Sequence, residues 1–368
     1  MDSESKEEDK RLSALQDALG RFRFVGDVRV RGESFFQDRV ADRNRGRIRV
    51  RFGVDGKLKE DFVGGFALAT GSLGDPTTTN ESFTNFFDRK TIGLDRGYIT
   101  YNPVAHKWLS LTGGKFAYAW NRTQVTGDPD INPEGFSEKF SWDLQTPGIK
   151  NFTVQVMQLL FNESTAGTDS HALGGQVSGK LQLGRLTTTL SFMAIKWNNP
   201  DSILQASAFA VQATTTTGGL PVPGEEGPGC AKGSGLLTVP PCAFAANGMT
   251  NATYNDPSGK SHFYSQFLYA DFILNNQIRT GWERLPLNLL LEYENNLDAK
   301  DHPLGPSGNV LSSLGKQSHT DLADVSLGQT KNKNDIQVGY AWLRECASCV
   351  YRQQSFQAPI VSWTCDLP

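Results

Sequence analysis

At 368 residues the chain could be one large domain or two ordinary ones. A mean hydropathy of -0.39 with 38% apolar residues excludes a bundle of membrane helices, each of which needs about 18 apolar residues in a run. A net charge of -3 excludes bulk binding to nucleic acid. Strands are not excluded from a membrane, because a spanning strand needs only about 9 to 11 residues with alternate ones apolar.

Residues 1–20 begin with Met1 and Asp2 followed by Glu4, Glu7, Glu8 and Asp9, where a secretory signal would have a basic start and an apolar run; the expectation is a cytosolic protein or a cut chain. Leu12, Leu15 and Leu19 stand at helical spacing and predict one short, charged amphipathic helix or arm. From Arg21 the period changes to two: Phe22, Phe24, Val28 and Val30 alternate with Arg23, Asp27, Arg29, Arg31 and Glu33. After a turn at 37–43 the pattern repeats more strongly. Arg45, Arg47, Arg49 and Arg51 fall on one side of the next strand, and Ile48, Val50, Phe52 and Val54 on the other. Asp55-Gly56 predicts a tight hairpin, and Phe62, Gly64, Phe66 and Leu68 then share one parity up to Thr70.

Further strands are predicted near 92–102, 108–116, 138–146, 151–161, 172–183, 186–197, 263–274, 287–296, 319–330 and 335–345, thirteen in all. Several alternate cleanly. Gln176, Ser178, Lys180 and Gln182 oppose Val177, Leu181 and Leu183; Asn288, Glu292 and Glu294 oppose Leu287, Leu289, Leu291 and Tyr293; Asp335 and Gln337 oppose Ile336, Val338, Tyr340 and Trp342. The connections alternate in length. Those at 37–43, 71–91, 117–137, 162–171, 198–262 and 297–318 are the longer, and those at 55–57, 103–107, 147–150, 184–185, 275–286 and 331–334 the shorter. An up-and-down barrel in an outer membrane, with short periplasmic turns and long outer loops, leaves that trace; a soluble Greek-key sandwich has no reason to keep it. Four arginines on one lipid-facing strand would cost about 8 to 16 kcal/mol, so in a membrane they must face a water-filled lumen.

The strings Arg47-Ile-Arg-Val-Arg-Phe-Gly53, Gly65-Phe-Ala-Leu-Ala-Thr-Gly71, Asp75-Pro76, Leu94-Asp95 with Tyr98-Ile99 and Tyr101, Gly113-Gly114-Lys115 and Pro133-Glu134-Gly135 together resemble the "putative porins" of Gram-negative bacterial outer membranes. The resemblance runs from about Arg21 to Leu343. It implies an all-β, antiparallel, up-and-down transmembrane β-barrel of about 14 to 18 strands when complete. It also implies a passive-diffusion pore with no catalytic residues and no cofactor, in contact with outer-membrane lipid, lipopolysaccharide and small hydrophilic solutes, as a homotrimer. The domain reading is an arm at 1–20, a barrel at 21–345 with long loops at 71–91, 117–137, 198–262 and 297–318, and a tail at 346–368. That tail, Cys346-Ala-Ser-Cys349 onward to Pro368, is unlike the family and reads as if truncated or frame-shifted.

The residues expected to line the pore are Arg29, Arg31, Arg45, Arg47, Arg49, Arg51, Gln176, Lys180, Gln182 and Glu292, the arginines favouring anions. The plainer reading of the arginine row is a solvated strand face paired with Asp27 and Glu33. Asp128, Asp130 and Glu134 in the 117–137 loop are candidates for a charged constriction opposite the arginines; their spacing also touches that of a calcium loop, but Pro133 occupies the place of the required glycine. Of five cysteines, an odd number, Cys230 and Cys242 in a Gly/Pro-rich loop could close a disulfide; Cys346 and Cys349 have knuckle spacing without a second pair, so no metal is expected. Gly308 to Lys316 lacks phosphate-loop spacing, the five histidines form no triad, and Asn80, Asn121, Asn151, Asn162 and Asn251 merely head glycosylation sequons. The alternative of a different class is a soluble or surface-attached all-β module binding acidic glycans.

Overall fold

The computed structural model describes residues 20–36, 42–71, 78–84, 86–128, 130–163, 168–201, 253–255, 261–300, 318–332, 334–344 and 360–363. The predicted N-terminal helix, Cys230, Cys242 and most of the 198–262 connection lie outside them. The strands are β1 (Phe22–Phe35), β2 (Arg43–Lys59), β3 (Phe62–Thr70), β4 (Glu81–Ser82), β5 (Ile92–Tyr101), β6 (Leu109–Lys115), β7 (Glu134–Asp143), β8 (Ile149–Asn162), β9 (Ser170–Leu183), β10 (Leu186–Asn198), β11 (Thr253–Asn255), β12 (Ser261–Phe263), β13 (Leu268–Ile278), β14 (Leu287–Asn296), β15 (His319–Gly328), β16 (Ile336–Arg344) and β17 (Ile360–Trp363). All thirteen predicted strands are present, and β17 adds one in the segment read from sequence as an atypical tail. No helix among the described residues is long and apolar enough to cross a membrane, which says nothing of a β-barrel.

The chain divides into two compact units, residues 1–119 with 129–138 and residues 120–128 with 139–368. In the first, hydrogen-bonded neighbours follow the order β1-β2-β3-β5-β6-β7, with β4 added to β2; in the second they follow β7-β8-β9-β10-β13-β14-β15-β16-β17, β7 giving its first half to one unit and its second half to the other. The pairings from β1 to β6 and from β8 through β10 and β13 to β17 are antiparallel, and β11 and β12 form a separate hairpin. The topology is therefore up-and-down. Longer connections (36–42, 71–91, 116–133, 163–169, 199–267, 297–318) alternate with shorter ones (60–61, 102–108, 144–148, 184–185, 279–286, 329–335), as the sequence predicts.

Several boundaries differ from the sequence reading: the strand expected at 263–274 is Leu268–Ile278, and two other differences have a visible cause. Asp55-Gly56 is not a turn: β2 continues to Lys59, with Gly56 opposite Phe22 on one side and Gly64 on the other. The glycine is there because an added Cβ would lie 2.2 Å from the Phe22 ring. The chain reverses instead at Glu60-Asp61, where the Asp61 carboxylate accepts the Val104 N–H at 2.8 Å and its carbonyl accepts the Asn102 N–H at 2.7 Å, tying two neighbouring short turns together. Likewise Glu134 is not in a loop but begins β7. Gly135 (φ +138°) lets the chain enter the ladder there, and the Phe136 ring lies over Gly113, where a Cβ would meet it at 3.2 Å.

In the second unit a buried carboxylate fastens the last two short turns. Asp335, 1% exposed, accepts from Arg284 Nε at 2.7 Å on one oxygen and from the backbone N–H groups of Asn332 (2.8 Å) and Lys331 (3.1 Å) on the other. Burial pushes this carboxyl up, but the Asn332 N–H, the Arg284 guanidinium and the Lys331 N–H outweigh it and hold the group below the usual aspartate value. Its contribution to stability is thus complete above the unfolded value of about 4 and is lost as pH falls through the lower folded value. Urea titrations of the folded chain at a series of pH values between neutrality and strong acid should show that loss, and Asp335→Asn should be less stable at neutral pH with a flatter acid limb; an unchanged limb refutes the clamp.

Candidate functional site

Most long strands carry an exposed row rich in apolar side chains, while the buried side of the second unit mixes polar residues with Met157, Leu159, Met193, Ile195, Tyr269, Ile273 and Leu322. In the first unit Val28 and Val30 are 72% and 70% exposed, with Phe24, Phe52, Phe66, Leu94 and Ile99 exposed beside them. In the second unit Phe192, Phe272, Tyr293, Val338, Tyr340 and Trp342 are exposed, whereas Gln176 and Glu292 are each 4% exposed and Gln155, Asp271, Glu294, Asn296 and Thr320 are also buried. A soluble sheet shows the reverse arrangement. Ring contacts reinforce the apolar rows: Phe24 stacks on Phe52 at 6.3 Å, Phe62 meets Tyr101 at 5.1 Å, and Trp142 stacks on Phe152 at 6.0 Å.

The polar side of the first unit is dominated by arginine. The register of β1 and β2 places Arg29 directly opposite Arg49 and Arg31 opposite Arg47, pairings that would repel. Neighbouring carboxylates relieve part of each conflict, from directly opposite, diagonal and same-strand positions. Asp27 accepts from Arg49 Nε at 2.9 Å and Arg51 Nε at 2.7 Å, and Glu33 pairs with both Arg31 and Arg45. The other two arginines turn to the segment after β3. Arg29 donates to the Asn80 side-chain oxygen at 2.5 Å, and Arg47 to the Asn80 carbonyl at 2.8 Å and the Thr78 hydroxyl at 3.2 Å. The segment is fixed by β4 pairing with Arg47 and Ile48, by the Thr70 hydroxyl donating to the Thr79 carbonyl at 2.8 Å, and by Asp130 accepting from Thr79 at 3.3 and 3.4 Å. Of the predicted acidic trio, Asp130 therefore reaches the arginine side through Thr79, while Glu134 pairs with Lys115 at 2.8 Å. Asp128 belongs to the second unit and is half-buried there.

In the second unit, residues 120–128 lie against the polar side. The Asn121 backbone N–H donates to Gln176 Oε1 at 2.8 Å, and Gln176 Nε2 returns a bond to the Asn121 carbonyl at 2.7 Å. Asn121 Nδ2 donates to Ser191 Oγ at 2.8 Å, the Thr123 hydroxyl donates to Glu292, and Thr126 donates to the other Glu292 oxygen at 3.3 Å. Val125, 2% exposed, is buried within the segment. Gln176 and Glu292, both expected on the polar row, thus become its anchors; Lys180 and Gln182 remain exposed on β9 near the 184–185 turn. Sequence reasoning missed Asn80, Asn121, Thr123 and Thr126. The available signal was a run of short polar side chains within long connections, and two of these residues registered only as sequon heads.

The arrangement offers charge, amides and hydroxyls without an activated nucleophile, and among the described residues no group of three or more His, Cys, Asp or Glu side chains could hold a metal ion. Residues 35–182 match the sequence model of the family described as "Putative porin". No curated protein sequence matches the chain. Among solved structures the chain is similar to OmpF of Salmonella typhi, in complex with daunomycin (9% identity, 89% of this chain and 92% of that one, TM-score 0.38). It is also similar to the trimer form of OmpT, an outer membrane protein of Vibrio cholerae (8% identity, 87% and 89%, TM-score 0.36), and to the anion-selective porin of Comamonas acidovorans (9% identity, 88% and 89%, TM-score 0.37).

Thr123→Val removes one donor from a buried carboxylate and should lower stability by about 1 to 3 kcal/mol. A urea midpoint equal to that of the unmodified chain would show that the 120–128 segment does not depend on Glu292.

Proposed function

We infer that this chain, whose residues 35–182 carry the porin family pattern, is a porin of the bacterial outer membrane that passes small hydrophilic solutes or ions by diffusion. The single observation that carries the reading is the exposed apolar parity of the strands. Side chains such as Val28, Val30, Phe192 and Trp342 form rows that water would penalise by roughly 25 cal/mol per Å² and that hydrocarbon would accept. The opposite rows could not face lipid, where one midplane arginine costs about 2 to 4 kcal/mol. A transmembrane barrel satisfies both sets at once, with the apolar rows against lipid and lipopolysaccharide and the polar rows lining an aqueous pore. A water-soluble glycan-binding module would leave the apolar rows unsatisfied.

In this reading selectivity is electrostatic and loop-controlled. Arg29, Arg31, Arg45, Arg47, Arg49 and Arg51 face Asp27, Glu33 and the more distant Asp130, an excess of positive charge that favours anions on that wall. The segments around Thr78–Asn80 and 120–128 narrow the bore by covering parts of the polar rows. The assembly proposed is a homotrimer, which cross-linking in the membrane would count.

Planar-bilayer recording of the refolded full chain tests the reading. Stepwise ohmic conductance is expected, together with a gel mobility that changes on boiling. Arg47→Glu combined with Arg49→Glu alters the wall by four charges and should move the reversal potential in a salt gradient toward cation preference. Absence of conductance removes the pore, and an unchanged reversal potential removes the arginine row from it.

A further inference from the structure

Within the second unit, the contact of residues 120–128 with strands β10 and β13 to β15 leaves a cleft of about 300 Å³ beneath the segment, at the small end of the range for ligand pockets. Its floor is a cross-strand line: Thr189, Asn275, Leu290 and Asp324 are successive register partners on β10, β13, β14 and β15. Its roof is Asn121–Gln124, which includes Arg122, held by donation from its Nη1 to the Gly127 carbonyl at 2.7 Å. The roof is anchored through Gln176, Ser191 and Glu292, over a cleft that stays open on one side.

Two features define what would fit. Asp324 is half-buried, and its carboxylate makes no hydrogen bond or ion pair with any described residue, so it presents a partly desolvated negative charge to the cavity. The roof supplies the opposite sign at Arg122, and Leu290 and Ile273 supply an apolar strip amid hydroxyls and amides. A sugar would use the hydroxyls and amides but leave Asp324 without a counter-charge. An anion would meet Arg122 and be repelled by Asp324.

We propose that this cavity is a solute subsite for small zwitterions of amino-acid type, with the ammonium on Asp324, the carboxylate toward Arg122 and a short aliphatic stem along Leu290. The proposal rests on the porin reading for the solute's access, but binding can be measured without conductance.

Isothermal titration of the detergent-folded full chain with L-leucine, D-glucose and 1-butylamine tests it. L-leucine should bind and D-glucose should not over the same range, with 1-butylamine weaker than L-leucine. Asp324→Asn and, independently, Arg122→Gln should each weaken L-leucine by about tenfold or more, the effect of losing a charged hydrogen bond; boiled and unboiled gel mobilities check that each variant is folded. Equal binding of leucine and glucose, butylamine binding as tight as leucine, or full leucine affinity in either folded variant overturns the proposal. Leucine binding by a chain without bilayer conductance would instead overturn the pore and keep the subsite, and conductance without leucine binding would do the reverse.

Discussion

The structure depends on one constraint: a side chain on a strand can face only one of two sides, and the chain assigns charge to one of them largely by parity, with a few apolar residues such as Met157 and Ile195 sharing that side. A shift of one residue in register would exchange the two rows on that strand, turning guanidiniums toward the apolar side. Register is consequently over-determined. Ring stacking on the apolar side, as between Phe24 and Phe52, and cross-strand ion pairing on the polar side, from Asp27 to Arg51 directly opposite and to Arg49 on the diagonal, select the same alignment of β1 and β2.

The second consequence is electrostatic. Six arginines crowded on two adjacent strands would repel if left alone, and the ion pairs around them are each worth little when partly exposed. Their arrangement is stable because the repulsion is distributed. Two carboxylates each serve two arginines, and the remaining two arginines draw on neutral oxygens of the segment after β3. Each shared carboxylate offsets only one of its two arginines, and an amide or carbonyl oxygen satisfies a guanidinium's donors without cancelling its charge, so the row keeps an excess of positive charge at both places. The segment at residues 120–128 is held by the converse arrangement, with the Thr123 and Thr126 hydroxyls donating to the buried Glu292 carboxyl.

Strand identity and facing were legible in the sequence because alternation is a local signal, carried by residues such as Arg45 through Val54 or Leu287 through Tyr293 without reference to anything distant. The alternation of connection lengths was legible for the same reason. Turn placement was less so. Asp55-Gly56 has the composition of a hairpin, but the glycine lies against the Phe22 ring of the preceding strand β1, a tertiary contact that imitates a local signal. The polar anchors were hidden more deeply. Asn80 and Asn121 act through partners 51 and 55 residues away, and no spacing rule in a single sequence relates them. The strand at Ile360–Trp363 follows a segment whose composition departs from that of the preceding strands, so the pattern that identified the others gave no reason to expect it.

Asn80 holds its two arginines by different means, and the difference bears on how the site can vary. Arg29 is bound by the amide side chain, whereas Arg47 is bound by the main-chain carbonyl of the same residue. A codon change at this position can withdraw the first acceptor but not the second, because every amino acid carries the same carbonyl. One guanidinium is therefore open to retuning by mutation at Asn80, while its neighbour is insulated from it and can be released only by moving the backbone.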